Sequence, residues 1–234
     1  MKNLGVKISF LKTFWLLLCK ESRLSVRAKE SSISVVFFTF LVVFIFHFGF
    51  SSTQLQNIIP YLAPFLWLST LFGGMLRLNQ TFEPENEGKV MDGMRLIPGI
   101  AVPFFLSKFV YNLFFLFFLT LFTFLLLVFL FNVQNPLAYF LIAWRPLSLG
   151  IFGLASIGTL FSNMVISHHR RTLVLPIISY PILIPLIIGV LNAFVYSASG
   201  NLLGLEISWI KILIIFDMIF FMMSLMLFEL VMNT

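Results

Sequence analysis

The sequence predicts an all-α, polytopic membrane protein with six transmembrane helices and an N-terminal in-plane amphipathic helix. Three observations carry that prediction. First, 60% of the 234 residues are apolar and 10% are charged, whereas soluble domains run at about 45–50% and about 25%. No single core hides that much apolar surface, so lipid must be part of the solvent. Second, six apolar segments lie at 33–50, 57–76, 104–131, 138–164, 173–196 and 209–231. Third, Lys and Arg gather before the first segment and in alternate loops. Low charge together with 31 Phe residues also excludes intrinsic disorder.

In chain order, residues 1–30 form an N-terminal cytoplasmic, interfacial unit. On a helical wheel Lys12, Lys20, Arg23 and Arg27 share one narrow arc, and Phe10, Phe14 and Leu17 lie opposite. This pattern predicts a helix in the plane of the membrane, with its apolar side among acyl chains and its basic side toward anionic headgroup lipids. An ordinary helix packed on protein is the alternative. The run from Phe14 to Cys19 is too short for the apolar region of a signal peptide, and Lys12 and Lys20 bracket it.

Residues 31–234 form the six-helix transmembrane domain. Backbone groups in lipid must be satisfied within the segment, so each span is a helix. The ten-residue alternation of a membrane barrel is absent. Phe109 to Phe131 is 23 residues without a charge, more than the hydrocarbon core of about 30 Å requires. Basic residues precede the first span and recur as Lys89 and Arg95, then as Arg170 and Arg171. The loops at 51–56, 132–137 and 197–208 carry none. The positive-inside bias therefore places both termini in the cytoplasm. It also explains the net charge of +6 as topology, and no nucleic-acid partner is implied.

The cytoplasmic loop at 77–99 is the largest piece outside the membrane. Pro84 suits the first turn of a helix, and Glu83, Glu85 and Glu87 suit its N-terminal dipole. Val90, Met91, Met94 and Ile97 follow as a short apolar stripe. Three acids have no electrostatic reason to lie on anionic headgroups. The pattern predicts a brief amphipathic helix offered to a protein partner, with a solvated, well-capped loop as the alternative.

The later spans carry three further signals. Gly150, Gly153 and Gly158 allow close helix approach, to an internal neighbour or across a homodimer seam. Pro176, Pro181 and Pro185 each remove an N–H, which predicts a fifth span that is kinked or locally unwound. Arg145 and Asp217 lie at similar depth, about 10–12 Å below the outer boundary. A charge at mid-membrane usually has a partner. Pairing, within one chain or between two, is therefore one expectation, and outward snorkelling of Arg145 beside Pro146 is the other.

No catalytic, metal-binding or cofactor-binding residue is assigned. The sequence lacks the phosphate-binding loop G-x-x-x-x-G-K-[ST], H-E-x-x-H, C-x-x-C and G-x-S-x-G. Cys19 is the only cysteine, so no internal disulfide forms. His47 is read as a helix-interface histidine, and His168 and His169 as part of a solvated basic turn.

Three stretches carry a family resemblance: Phe82 to Pro98 with Lys108; Leu149-Gly-Ile-Phe-Gly through Ser162-Asn-Met; and Arg171 to Pro185 with its three prolines. With Lys20, Glu21 and Arg27, they resemble the haem exporter protein B family, permease subunits of the cytochrome c maturation ABC transporter. The resemblance implies an exporter-type ABC permease in the bacterial inner membrane, paired as a homodimer. It implies a separate ABC ATPase subunit that holds ATP and docks on Glu83, Glu85, Glu87, Val90, Met91 and Met94. It further implies a haem-handling membrane protein and a periplasmic haem chaperone as partners, with haem as substrate. Haem export and release of the haem-loaded chaperone are both compatible with it. A permease for a lipid, glycan or drug would share the topology. A haem scaffold without ATP coupling would want paired histidines, and a proton-coupled transporter would want a chain of membrane carboxylates.

Overall fold

The computed structural model describes residues 10–27, 29–50, 59–87, 90–133, 135–165, 171–198 and 205–233. Among the described residues there is no strand. The helices are α1 (Phe10–Arg27), α2 (Lys29–Phe50), α3 (Ile59–Asn79), α4 (Glu83–Glu87), α5 (Val90–Arg95), α6 (Ala101–Phe131), α7 (Pro136–Val165), α8 (Arg171–Ala198) and α9 (Leu205–Asn233). The loop expected to hold an amphipathic helix is helical at Glu83–Glu87 and Val90–Arg95.

Among the described residues, five helices are long and apolar enough to cross a membrane. They are α2, α6, and the stretches Pro136–Met164, Ser179–Ser197 and Ile207–Met232 of α7, α8 and α9. At 31 residues, α6 is about 46 Å long and overreaches the hydrocarbon layer. The remaining apolar segment is α3, which has 21 residues and one internal proline, Pro64. It packs against α2, α6, α7 and α8, and Leu62, Leu66, Trp67, Ser69 and Thr70 along it are buried. Only a stripe of α3 stays open, through Tyr61, Leu68, Phe72 and Leu76, so most of the helix meets protein and its sequence can carry more polar residues than its neighbours.

Several threonines in the bundle are satisfied by their own helix, as a medium without water favours. Thr39, Thr70, Thr120 and Thr123 each donate to the carbonyl one turn earlier, at 2.8–2.9 Å. Close packing relies on the α7 glycines. A Cβ on Gly150 would stand 2.6 Å from both the Trp67 ring of α3 and Val190 of α8. One on Gly158 would stand 2.3 Å from Leu78 of α3. The small residues of this span therefore serve internal neighbours.

Three expectations change. Helix α8 runs as helix without a break through Pro176, Pro181 and Pro185, so it is not locally unwound. Pro181 and Pro185 face outward, and the side chain of Pro176 lies outside the described residues. Arg145 and Asp217 do not pair within the chain. Arg145 is exposed. Asp217 is 3% exposed, and neither of its oxygens has a hydrogen-bond partner among the described residues. Its carboxylate lies against Gly153, eight residues beyond Arg145 and so about 12 Å further along α7. Finally, α1 does not lay its apolar arc on lipid. Leu17 is 8% exposed and joins the protein core, Phe14 is half-buried, and Lys12 and Arg23 are exposed. Phe10 is 49% exposed at the helix start, and the side chain of Arg27 is outside the described residues. The covering surface is α6.

The glycine contacts give a direct test. Gly150→Val should lower stability in detergent by about 1–3 kcal/mol through overpacking, because the Trp67 ring is rigid. Adding Trp67→Leu should recover part of that loss in a double-mutant cycle read by thermal unfolding. Strictly additive effects would show that the two residues do not press on each other.

Candidate functional site

The densest chemistry in the molecule sits where α1, α4 and the first turns of α6 converge. Lys108 enters the bundle on α6, about 10 Å from the helix start, and is 1% exposed. An ammonium so placed must find acceptors for three N–H groups. Nζ donates to the Thr81 carbonyl at 2.7 Å and to Glu85 Oε2 at 2.8 Å. Glu21 Oε2 stands 2.8 Å away. Lys20 closes the cluster: its Nζ donates to Glu85 Oε1 and lies 3.5 Å from Glu21 Oε1. Two cations and two anions alternate, and only Lys20 reaches solvent appreciably.

Aromatic faces wall the cluster. The Phe82 ring centre is 4.9 Å from Lys108 Nζ. Phe104 lies 5.8 Å from Lys108 Nζ and 5.5 Å from Lys20 Nζ. Phe228 of α9 packs on both rings, at 6.1 and 6.0 Å. These rings exclude water and supply cation–π attraction. A polar row continues inward from Thr81. Asn112 Nδ2 donates to Thr81 Oγ1 at 3.2 Å and to Thr159 Oγ1 of α7 at 3.0 Å. Ser162 Oγ donates to the Leu78 carbonyl at 2.6 Å. The chain leaving α3 is thereby fastened to both α6 and α7.

The two acids titrate in opposite directions. Burial pushes Glu85 up, but the charge of Lys108 and hydrogen bonds from Lys108 and Lys20 outweigh it, and its pKa falls below the ordinary value. Burial dominates at Glu21, with Glu85 adding like-charge repulsion, and its pKa rises despite Lys108. Glu85 is the firm anion of the cluster, and Glu21 holds its charge less firmly.

The loop residues expected to face a partner divide into two sets. Glu85 is 1% exposed and spent inside the cluster, so it is not a docking residue: the buried Lys108 draws it in. Met91 is 7% exposed, and Met94 packs beside it against the core. Glu83 is exposed, and Val90 is 40% exposed. The side chain of Glu87 lies outside the described residues. Ile97, the last residue of the expected apolar stripe, is 41% exposed, and Leu96, which sequence reasoning passed over, is 83% exposed just after α5. Two adjacent apolar residues before Pro98 were the signal. Lys20 was assigned to the headgroups but is held in the cluster by Glu85. Glu21 and Lys108 had signals too: an acid one turn from Leu17 on the apolar arc, and a lysine inside a long apolar helix. His47 lies at a helix interface, its ring 5.0 Å from that of Phe131. His168 and His169 are outside the described residues.

A family model described as CcmB protein matches residues 12–231. The chain belongs to the CcmB family. The match begins within α1 and ends within the last turn of α9, so every residue of the charge cluster falls within the CcmB homology. No curated protein matches the chain.

The cluster makes a graded prediction. Glu85→Gln should cost about 3–5 kcal/mol, the usual penalty for stranding a buried charge. Glu21→Gln should cost clearly less, because burial already disfavours that charge. The pH dependence has matching signs. The depressed pKa of Glu85 gives stability that is present above the ordinary glutamate value and lost as pH falls through its folded pKa. The raised pKa of Glu21 gives stability that is present in acid and lost as pH rises through its folded pKa. Thermal unfolding of both variants from pH 3 to 8 checks the order, and equal losses at neutral pH would refute it.

Proposed function

We propose that this chain is the membrane permease subunit of an ABC transporter in cytochrome c biogenesis. In this reading ATP hydrolysis by a separate subunit drives haem export or release of a haem-loaded chaperone. The observation that carries the proposal is the CcmB family match across residues 12–231. The apolar helices support a multi-pass membrane protein, and the sequence holds no phosphate-binding loop of its own.

Helix α3 is the sixth span in this reading. Its 21 residues reach about 32 Å, enough to cross the hydrocarbon layer. Six spans put both termini on the cytoplasmic side of the bacterial inner membrane, where the basic loops belong. Two copies form the permease. A haem-handling membrane protein and a periplasmic haem chaperone work beside it, with haem as the cargo.

The ATPase subunit docks on the turn around α4 and α5. Exposed Glu83, Val90, Leu96 and Ile97 form the contact, with an apolar centre and a polar edge as protein interfaces commonly have. Movement of α4 then passes through Glu85 to Lys108 on α6 and to Lys20 on α1. The cluster is a mechanical joint: its parts hold one another too tightly to slide independently.

Affinity purification in mild detergent, with identification of co-purifying subunits, tests the assignment. The ATPase should accompany the wild-type protein. Leu96→Glu with Ile97→Glu should reduce its recovery at least about tenfold while the permease remains inserted, since two charges would enter an apolar contact. Full ATPase recovery with that variant would remove the docking surface, and absence of any ATPase from the wild-type preparation would count against the permease itself.

A further inference from the structure

Arg77 is a buried cation without a counter-ion. It sits near the inner end of α3 and is 9% exposed. Among the described residues no carboxylate forms an ion pair with it, and its Nε has no hydrogen-bond partner. The Tyr111 side chain hydrogen-bonds Arg77, and Glu21, itself held by Lys108, and Glu83 act on it only from beyond ion-pair distance. The guanidinium instead lies over two rings of α6, with Cζ 5.3 Å from the centre of Tyr111 and 5.0 Å from that of Phe115.

Those rings begin a stripe on α6. Tyr111, Phe115, Phe118 and Phe122 recur at spacings of four, three and four, which places them on one helix face. The last three line an open groove whose other wall is α2, through Ser32, Val36 and Phe40 among others. The groove body is apolar. Beside its inner end Ser32 Oγ is buried without a partner, and Lys29, one turn earlier on α2, is exposed. The register of the helices fixes Arg77 at that same end. Ser31 bonds Gln80, and Thr39 lies against Gly73, so Arg77 falls between these two α2–α3 contacts.

We infer that the α2–α6 groove binds one anionic phospholipid of the inner leaflet. The phosphate meets Arg77, Ser32 and Lys29, and an acyl chain lies along Val36, Phe40, Phe118 and Phe122. Charge selects this occupant. A buried guanidinium in a low-dielectric setting requires an anion, and the groove beside it requires a hydrocarbon. An anionic lipid supplies both in one molecule, and basic pockets between transmembrane helices at the cytoplasmic side are suited to such headgroups. An apolar helix from a second chain would fill the groove but leave the charge unmet.

Native mass spectrometry of the full-length protein in mild detergent tests this. The protein is titrated with phosphatidylglycerol and with phosphatidylcholine of the same acyl chains. One phosphatidylglycerol should bind per chain at least about tenfold more tightly than phosphatidylcholine. Arg77→Gln should erase that preference. Val36→Trp, at a half-exposed position that tolerates bulk, should fill the groove and weaken the tight phosphatidylglycerol site even where Arg77→Gln fails to fold. Equal affinity of the two lipids for the wild-type protein would overturn the inference. So would unchanged selectivity in Val36→Trp, with or without loss of self-association, since the groove would then serve some other contact.

Discussion

A lysine ammonium at 1% exposure cannot be kept charged in a low-dielectric interior unless anions come to it. Lys108 imposes that requirement on the rest of the chain. It recruits Glu85, which fixes α4 beneath α6, and Glu21, which turns α1 inward. It also takes the Thr81 carbonyl, which fixes the turn leaving α3. The four ends meet because one cation needs three acceptors, and the aromatic rings around them raise the cost of any looser arrangement. Packing of α7 against α3, α8 and α9 through its glycines gives the bundle its density. The meeting of α1, α4 and the start of α6 follows from the lysine.

The two kinds of order in the molecule have different physical origins. Within the membrane region, helices are joined by shape: glycines against Trp67, Leu78 and Val190, and threonines satisfied by their own helix. Such contacts are broad and individually modest. At the cytoplasmic end the contacts are few, directional and charge-assisted. A force applied there is carried by a small number of bonds, whereas a force within the bundle is spread over many. That contrast suits a protein driven from one end. The aromatic trio of Phe82, Phe104 and Phe228 joins the two regions, because it is both the wall of the cluster and the inner end of the α6–α9 packing.

Much of this was legible in the sequence. The six apolar segments correspond to α2, α3, α6, α7, α8 and α9, because period and length alone define a helix in lipid. The extensive burial of α3 was not visible, since a mostly buried helix and a lipid-facing helix both read as apolar, and only Arg77, Ser69 and Thr70 hinted at protein neighbours. The orientation of α1 was misread for a specific reason. The helical wheel places Glu21 among apolar residues, and its partner is 87 residues away in sequence. A wheel cannot report such a partner. The same long-range pairing removed Glu85 from the docking surface, although local spacing grouped it with Glu83 and Glu87. Arg145 and Asp217 share a depth by residue counting, yet Asp217 settles against Gly153, because depth constrains one coordinate and packing sets the other two.

The burial of Glu21 also dictates an order of events during synthesis. Glu21 and Lys20 leave the ribosome before Glu85, and well before Lys108. In that interval α1 has no buried cation to meet, and a carboxylate has no reason to leave water. Helix α1 therefore has no seat until the start of α6 has been made. A nascent chain halted before residue 108 would display the helix with its acid still hydrated. The seat of the first helix is made by the sixth, so the N-terminal segment is the first part of this chain to be made and one of the last to be finished.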